Sequence, residues 1–215
     1  MLRTLLVLAL LVAAVPAAAD EVQLSLQGID CRSCGDALVD LLERLSGVED
    51  ASFDHVAAEL IVEVRGDGPS ADDLLREVQK AGHRVVLGAG QGSYLPAEEF
   101  GESQDVVQIS RAGEEVEVRD HLAPGKVTGV DYWASWCGPC REIDAEMKKI
   151  LAAADDVALR KVNVVDWDSP IAQKDLRNVG GLPYVVVYDA AGKRRARIEG
   201  LQLERLRRAI EKARR

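Results

Sequence analysis

The sequence predicts an α/β protein built from two successive layered units joined by a glycine-rich stretch. Three observations predict it. Period-2 apolar segments alternate with segments of helical spacing along nearly the whole chain. The pattern breaks once, between Gly88 and Gln104, where four glycines, Ser93, Pro96 and three acids show no apolar period. The four cysteines fall in two C-x-x-C pairs, one in each unit.

The elements of the first unit follow in order. Val22, Leu24 and Leu26 alternate with polar residues, a half-buried strand. Gly28 to Gly35 is a loop holding Cys31 and Cys34, and Leu38, Leu41, Leu42 and Leu45 then recur at helical spacing before Gly47. Val48–Asp54 and Glu59–Val64 read as paired strands, with a turn near His55. Ser70 is placed to cap a helix carrying Leu74, Leu75 and Val78, and His83–Leu87 make a last strand. That order, βαββαβ over residues 20–87, is the ferredoxin-like plan.

Residues 88–104 read as a flexible linker. The second unit, 105–215, opens with short strands near Val106–Ile109 and Val116–Val118. Val127–Trp133 is a buried strand running into the second cysteine pair, and a helix follows from about Pro139 to Ala153. A strand at Ala158–Val164, a helix around Ile171–Leu176, strands Val185–Tyr188 and Ala196–Glu199, and a helix from Leu203 complete it.

The N-terminus predicts export. Arg3, an apolar run over Thr4–Ala19, Pro16 and Ala17-Ala18-Ala19 before Asp20 have the layout of a cleavable signal spanning 1–19. The run is shorter than the roughly 20 residues needed to span a bilayer, and an uncleaved anchor is the alternative. A periplasmic or otherwise exported protein, off the membrane once cleaved, is the expectation. The net charge of −9 is uneven: residues 20–87 carry 15 acids and 6 bases, and residues 105–215 carry 18 acids and 20 bases. An acidic front half excludes a nucleic-acid partner and suits the attraction of cations.

Structural disulfides of exported proteins commonly join distant positions, whereas close pairs point to metal binding or redox exchange. Cys137 stands at a strand-to-helix junction, where unpaired N–H groups and the helix dipole stabilise a thiolate. Cys140, one turn on, is close enough to form a disulfide with it, and Pro139 suits a first-turn position. The stretch Val130-Asp131-Tyr132-Trp133-Ala134-Ser135-Trp136-Cys137-Gly138-Pro139-Cys140-Arg141 resembles the thioredoxin signature, and Gly181-Leu182-Pro183-Tyr184 resembles that family's cis-proline segment.

The resemblance implies a thioredoxin fold, a central mixed sheet flanked by helices, and a thiol–disulfide oxidoreductase that needs no cofactor for its redox chemistry. It implies Cys137 as attacking and Cys140 as resolving cysteine, with Asp131 taking the Cys140 proton and Lys161 accompanying Asp131. Trp136, Gly138, Pro139, Leu182 and Pro183 are then the residues that meet a protein thiol or disulfide client, and an upstream reductant is required. Ala145 and Tyr184 depart from the family pattern, where a helix-kinking proline and a threonine are usual. These departures and the export signal favour a specialised protein over a general reductase.

In the first unit, Gly28-Ile29-Asp30-Cys31-Arg32-Ser33-Cys34 resembles the loop of heavy-metal-associated domains, as do the Leu45-Ser46-Gly47-Val48 turn and the Ala81-Gly82-His83 ending. Two thiolates three residues apart can share a soft ion. The resemblance implies Cu(I), with Zn(II), Hg(II) or another soft divalent ion as the alternative, because Asp30 adds a carboxylate. Metal donors or acceptors would then be partners. A third reading has no metal and treats Cys31/Cys34 as a redox relay. In an oxidising compartment this pair tends to close, and the tethered Cys137/Cys140 dithiol would keep it reduced. A metal carrier with an auxiliary redox domain is the competing function.

Overall fold

The computed structural model describes residues 19–215, so the export signal read at the N-terminus lies, but for its last residue, outside the described residues. Among the described residues no helix is long and apolar enough to cross a membrane.

The first unit comprises β1 (Asp20–Gln27), α1 (Arg32–Leu42), β2 (Val48–Asp54), β3 (Glu59–Val64), α2 (Ala71–Lys80) and β4 (Arg84–Leu87). The strands form an antiparallel sheet in the order β2-β3-β1-β4. Its alternation places Leu24, Leu26, Leu60 and Val62 on one face, fully buried against Leu38 and Leu42 of α1 and Leu74 and Val78 of α2. Ser70 caps α2 reciprocally with Asp73, accepting from the Asp73 N–H while the Asp73 carboxylate accepts from the Ser70 N–H.

The second unit comprises β5 (Val106–Ser110), β6 (Val127–Trp133), α3 (Gly138–Ala153), β7 (Val157–Asn163), α4 (Pro170–Asp175), β8 (Tyr184–Tyr188), β9 (Arg194–Glu199) and α5 (Leu203–Ala213). The sheet order is β5-β7-β6-β8-β9, with β5, β7 and β6 parallel and β8 and β9 antiparallel. Ile143, Met147 and Leu151 of α3 and Leu206 and Ile210 of α5 pack on one face, and Ile171 and Ala172 of α4 pack on the other. β6 and β7 are covered on both sides and are buried along almost their whole length, polar residues included.

The strand expected at Val116–Val118 is instead a 3₁₀ turn over Val118–His121. Its apolar alternation is only three residues long, and the Glu117 side chain accepts from the Arg119 N–H, which starts a helical turn.

The glycine-rich stretch 88–104, expected as a flexible linker, forms no helix or extended strand but is fastened to both units. Ser93 donates its N–H to the Leu26 carbonyl and accepts the Ile29 N–H, and the Tyr94 hydroxyl donates to the His55 carbonyl at 2.7 Å. On the other side Glu98 pairs with Lys148, and the Gln104 amide donates to the Lys148 carbonyl. Composition signalled the absent periodicity correctly but carried no information on these long-range backbone bonds. Gly92 is needed here, because a Cβ would collide with the Ala57 carbonyl oxygen. Gly92→Ala is therefore expected to loosen residues 88–95, seen as faster limited proteolysis there with an unchanged far-UV CD spectrum.

Candidate redox site and thiol loop

The redox pair is positioned by the β6-to-α3 junction. Cys137 is the N-cap residue of α3, with Pro139 in the first turn, and the Cys140 N–H donates to the Cys137 carbonyl. A disulfide joins Cys137 to Cys140, with Cα atoms 5.4 Å apart. Both residues are buried. The Leu182–Pro183 peptide is cis, as the resemblance implied. Leu182 packs into the same small cluster as Trp133, Trp136 and the two cysteines. The Trp136 indole N–H donates to the Val165 carbonyl, and its ring lies 6.4 Å from that of Trp167. Val165 holds a left-handed φ of 62°, unusual for a β-branched residue, which turns its carbonyl toward the indole.

Asp131 sits on the central strand with no exposed surface, opposite Lys161 on β7 and Val185 on β8. Neither carboxylate oxygen has a hydrogen-bond partner. Burial raises its pKa to about 7, against the attraction of Lys161 and with the repulsion of Asp144. Lys161 stands beside Asp131 as the resemblance implied, although it bonds elsewhere. Its ammonium is 3.9 Å from Asp131 and is hydrogen bonded instead to both oxygens of Asp144, at 2.5 and 2.6 Å. It also lies over the Trp133 ring, 4.6 Å from the centroid. Asp144 was invisible to motif reasoning. Its one sequence signal is an acid at a position of α3 whose neighbour Ile143 belongs to the core.

Cys31 and Cys34 are both reduced, half-buried, and have sulfurs 2.8 Å apart. Burial pushes the Cys31 thiol up, yet hydrogen bonds with Cys34 and Ser33 hold it below its ordinary value; burial and its bond to Cys31 push Cys34 above it. The pair offers two soft sulfur donors, which would have to move apart from 2.8 Å to hold a two-coordinate ion between them. Asp30 does not join them. Its carboxylate accepts from the Arg141 guanidinium at 2.9 Å, and among the described residues no three His, Cys, Asp or Glu side chains converge as a metal site. The i−1 spacing put Asp30 beside Cys31 in the chain, but Arg141, contributed by α3, claims it.

The two cysteine loops touch. The Arg32 N–H donates to the Trp136 carbonyl at 3.1 Å, and Arg141 also donates to the Asp30 carbonyl at 2.7 Å and to the Leu95 carbonyl at 3.2 Å. A Cβ on Gly138 would lie 3.0 Å from the Cys31 Cβ and 3.2 Å from the Asp30 carbonyl oxygen, a tight fit that would press the two loops apart by a few tenths of an ångström. His55, which stood in no sequence constellation, presents its ring edge-on to Trp136 at 5.3 Å. Cys31, Ser33, Trp136, Cys137, Gly138 and Leu182 line one shallow cleft of about 240 Å³. A larger cavity, about 590 Å³, lies around Tyr188, Arg194 and Arg197, away from both cysteine pairs.

A disulfide at a helix N-terminus, a cis-proline segment packed beside it and a buried carboxylate on the central strand define a thiol–disulfide oxidoreductase. The thioredoxin family's sequence model matches residues 114–212. Thioredoxin-2 of Saccharomyces cerevisiae is 36% identical over 90 residues, covering 41% of this chain and 83% of that protein. The thioredoxin of Mycoplasma genitalium is 38% identical over 60 residues, covering 28% of this chain and 56% of that protein. The chain belongs to the thioredoxin family. Among solved structures, the N-terminal domain of a potential copper-translocating P-type ATPase from Bacillus subtilis, in its Cu(I)-loaded state, is 22% identical. It covers 37% of this chain and 99% of that one, with a TM-score of 0.32.

The folded pKa of Asp131 lies above the ordinary carboxylate value, so its contribution to stability is full below about pH 4 and is lost as pH rises through about 7. Asp131→Ala is accordingly expected to stabilise the oxidised protein at pH 8 by on the order of 3 kcal/mol, with little change at pH 4. Denaturant unfolding of the two proteins at both pH values checks this.

Proposed function

We propose that this is an exported, reducing thiol–disulfide oxidoreductase whose first client is its own Cys31/Cys34 pair, which it keeps in the dithiol form that holds a soft metal ion. The observation that carries this reading is the contact between the two loops, in which Cys31 packs on Gly138 between the redox cysteines. Export rests on the N-terminal sequence pattern.

The exchange balances without a cofactor. A reduced Cys137 thiolate attacks the Cys31 sulfur of a closed Cys31–Cys34 disulfide, and Cys34 leaves as thiolate and takes up a proton. Cys140 passes its proton to the Asp131 carboxylate and attacks Cys137. Cys31 is released as thiolate, leaving Cys137–Cys140 oxidised and Cys31/Cys34 reduced. An upstream thiol reductant restores Cys137/Cys140. The Asp131 pKa of about 7 suits a group that accepts this proton near neutrality.

Cys31 and Cys34 would hold the ion as cargo, with Cu(I) favoured over Zn(II) because the site offers two soft sulfurs and no carboxylate. Asp30, engaged by Arg141, has no part in it.

Four measurements test the reading. With Cys31 and Cys34 replaced by serine, Cys137/Cys140 is expected to have a potential at or below about −250 mV, close to thioredoxin at about −270 mV; a value near −120 mV would identify a disulfide donor and sink the maintenance role. In Cys34→Ser/Cys140→Ser protein treated with a mild oxidant, the expected product is an intramolecular Cys31–Cys137 disulfide, identified by peptide mapping. Its absence removes Cys31 as client. Insulin reduction is expected to be lost in Cys137→Ser, and stoichiometric Cu(I) binding to be lost in Cys31→Ser/Cys34→Ser with insulin reduction retained.

A further inference from the structure

Helix α3 carries a buried acid that neither the motif nor the proposed exchange uses. Asp144 is on the second turn of α3, one turn beyond Cys140, and only 2% exposed. Both its oxygens accept from the Lys161 ammonium, at 2.5 and 2.6 Å, while Asp131 is left 3.9 Å from the same ammonium with no hydrogen bond. A lysine with one short two-oxygen contact and one long contact is claimed by the first. The charged groups facing Asp131 are Lys161 from β7 and Asp144 from α3; β8 presents apolar Val185. Glu98, from the fastened stretch 88–104, faces Asp144 in turn and pairs with Lys148. Phe100 of that stretch lies 5.6 Å from the Lys161 ammonium and helps close it off from water.

We infer that Asp144 is a positioning residue: it holds Lys161 away from Asp131 and so keeps the Asp131 carboxyl able to take a proton from Cys140. Without Asp144 the ammonium is free to close on Asp131 as a direct ion pair. Asp131 would then stay ionised at neutral pH and be a weaker proton acceptor. Two effects act in the same direction, because removing Asp144 also removes a negative charge that opposes ionisation of Asp131. The connection to Cys140 rests on the reading of Asp131 in the proposed function; the control of Asp131 by Asp144 does not.

The test follows the Asp131 side-chain carboxyl carbon by NMR through a pH titration of the full, oxidised chain. Asp144→Asn is expected to lower the midpoint by at least one pH unit, about tenfold in proton affinity. Asp144→Glu keeps a carboxylate for Lys161 and is expected to stay within about threefold of the parent, and Lys161→Met is expected to raise the midpoint. An unchanged or higher midpoint in Asp144→Asn would overturn the inference. If that variant does not fold, the unaltered chain decides, because coupling across the hydrogen bond from the Lys161 ammonium must appear at the Asp144 carboxyl carbon. Coupling at Asp131 instead would falsify the assignment. The pH profile of insulin reduction separates the two layers. A profile that moves with the NMR midpoint supports both, whereas one that stays put while the midpoint moves removes Asp131 as the proton acceptor and leaves Asp144 in place.

Discussion

Asp131 is a carboxylic acid on a strand that the fold buries on both faces, and much of the second unit is arranged around the cost of putting it there. β6 is the middle strand of five and carries the chain directly into Cys137, so a group on its redox end cannot be solvated. An unpaired buried carboxylate resists ionisation, and this one finds no hydrogen-bond donor. The electrostatic relief available to it is Lys161 on the neighbouring strand, and Asp144 competes for that lysine from the helix above. The molecule thus holds two buried carboxylates and one ammonium close together in the second unit.

The same strand-to-helix geometry occurs twice. Cys31 and Cys137 each stand as the N-cap residue of a helix, and neither makes a side-chain cap bond. Two such loops meet through small surfaces: a glycine, a backbone bond from Arg32 to Trp136, and the Arg141 fork on Asp30 and Leu95. The contact is polar at its rim and apolar at Trp136, where His55 and Trp167 complete the cover. A contact built from so few groups can separate.

The stretch 88–104 gives the contact its geometry. Tyr94 packs against the core of the first unit and against the redox cluster at once, and its hydroxyl is tied to the turn that carries His55. Fastening the connection at both ends restricts how the units sit without adding a secondary-structure element.

Local signals determined much of this protein. The period-2 and helical patterns located nearly every strand and helix, because side-chain burial on a sheet or helix face follows from sequence spacing alone. The two C-x-x-C pairs, Trp136, Pro139, Leu182, Pro183 and Asp131 were legible as a site because their chemistry is set by neighbours within a few residues or by a recognisable signature. Where the sequence reading was incomplete, the deciding partner came from far along the chain. Asp30 meets Arg141, Lys161 meets Asp144, Ser93 meets Leu26, and His55 meets Trp136. Spacing says which face a side chain occupies and nothing about which charge or ring another element brings to it. That choice belongs to the packing of the two units, which is why tertiary structure alone decided where Lys161 binds and that the two cysteine loops touch.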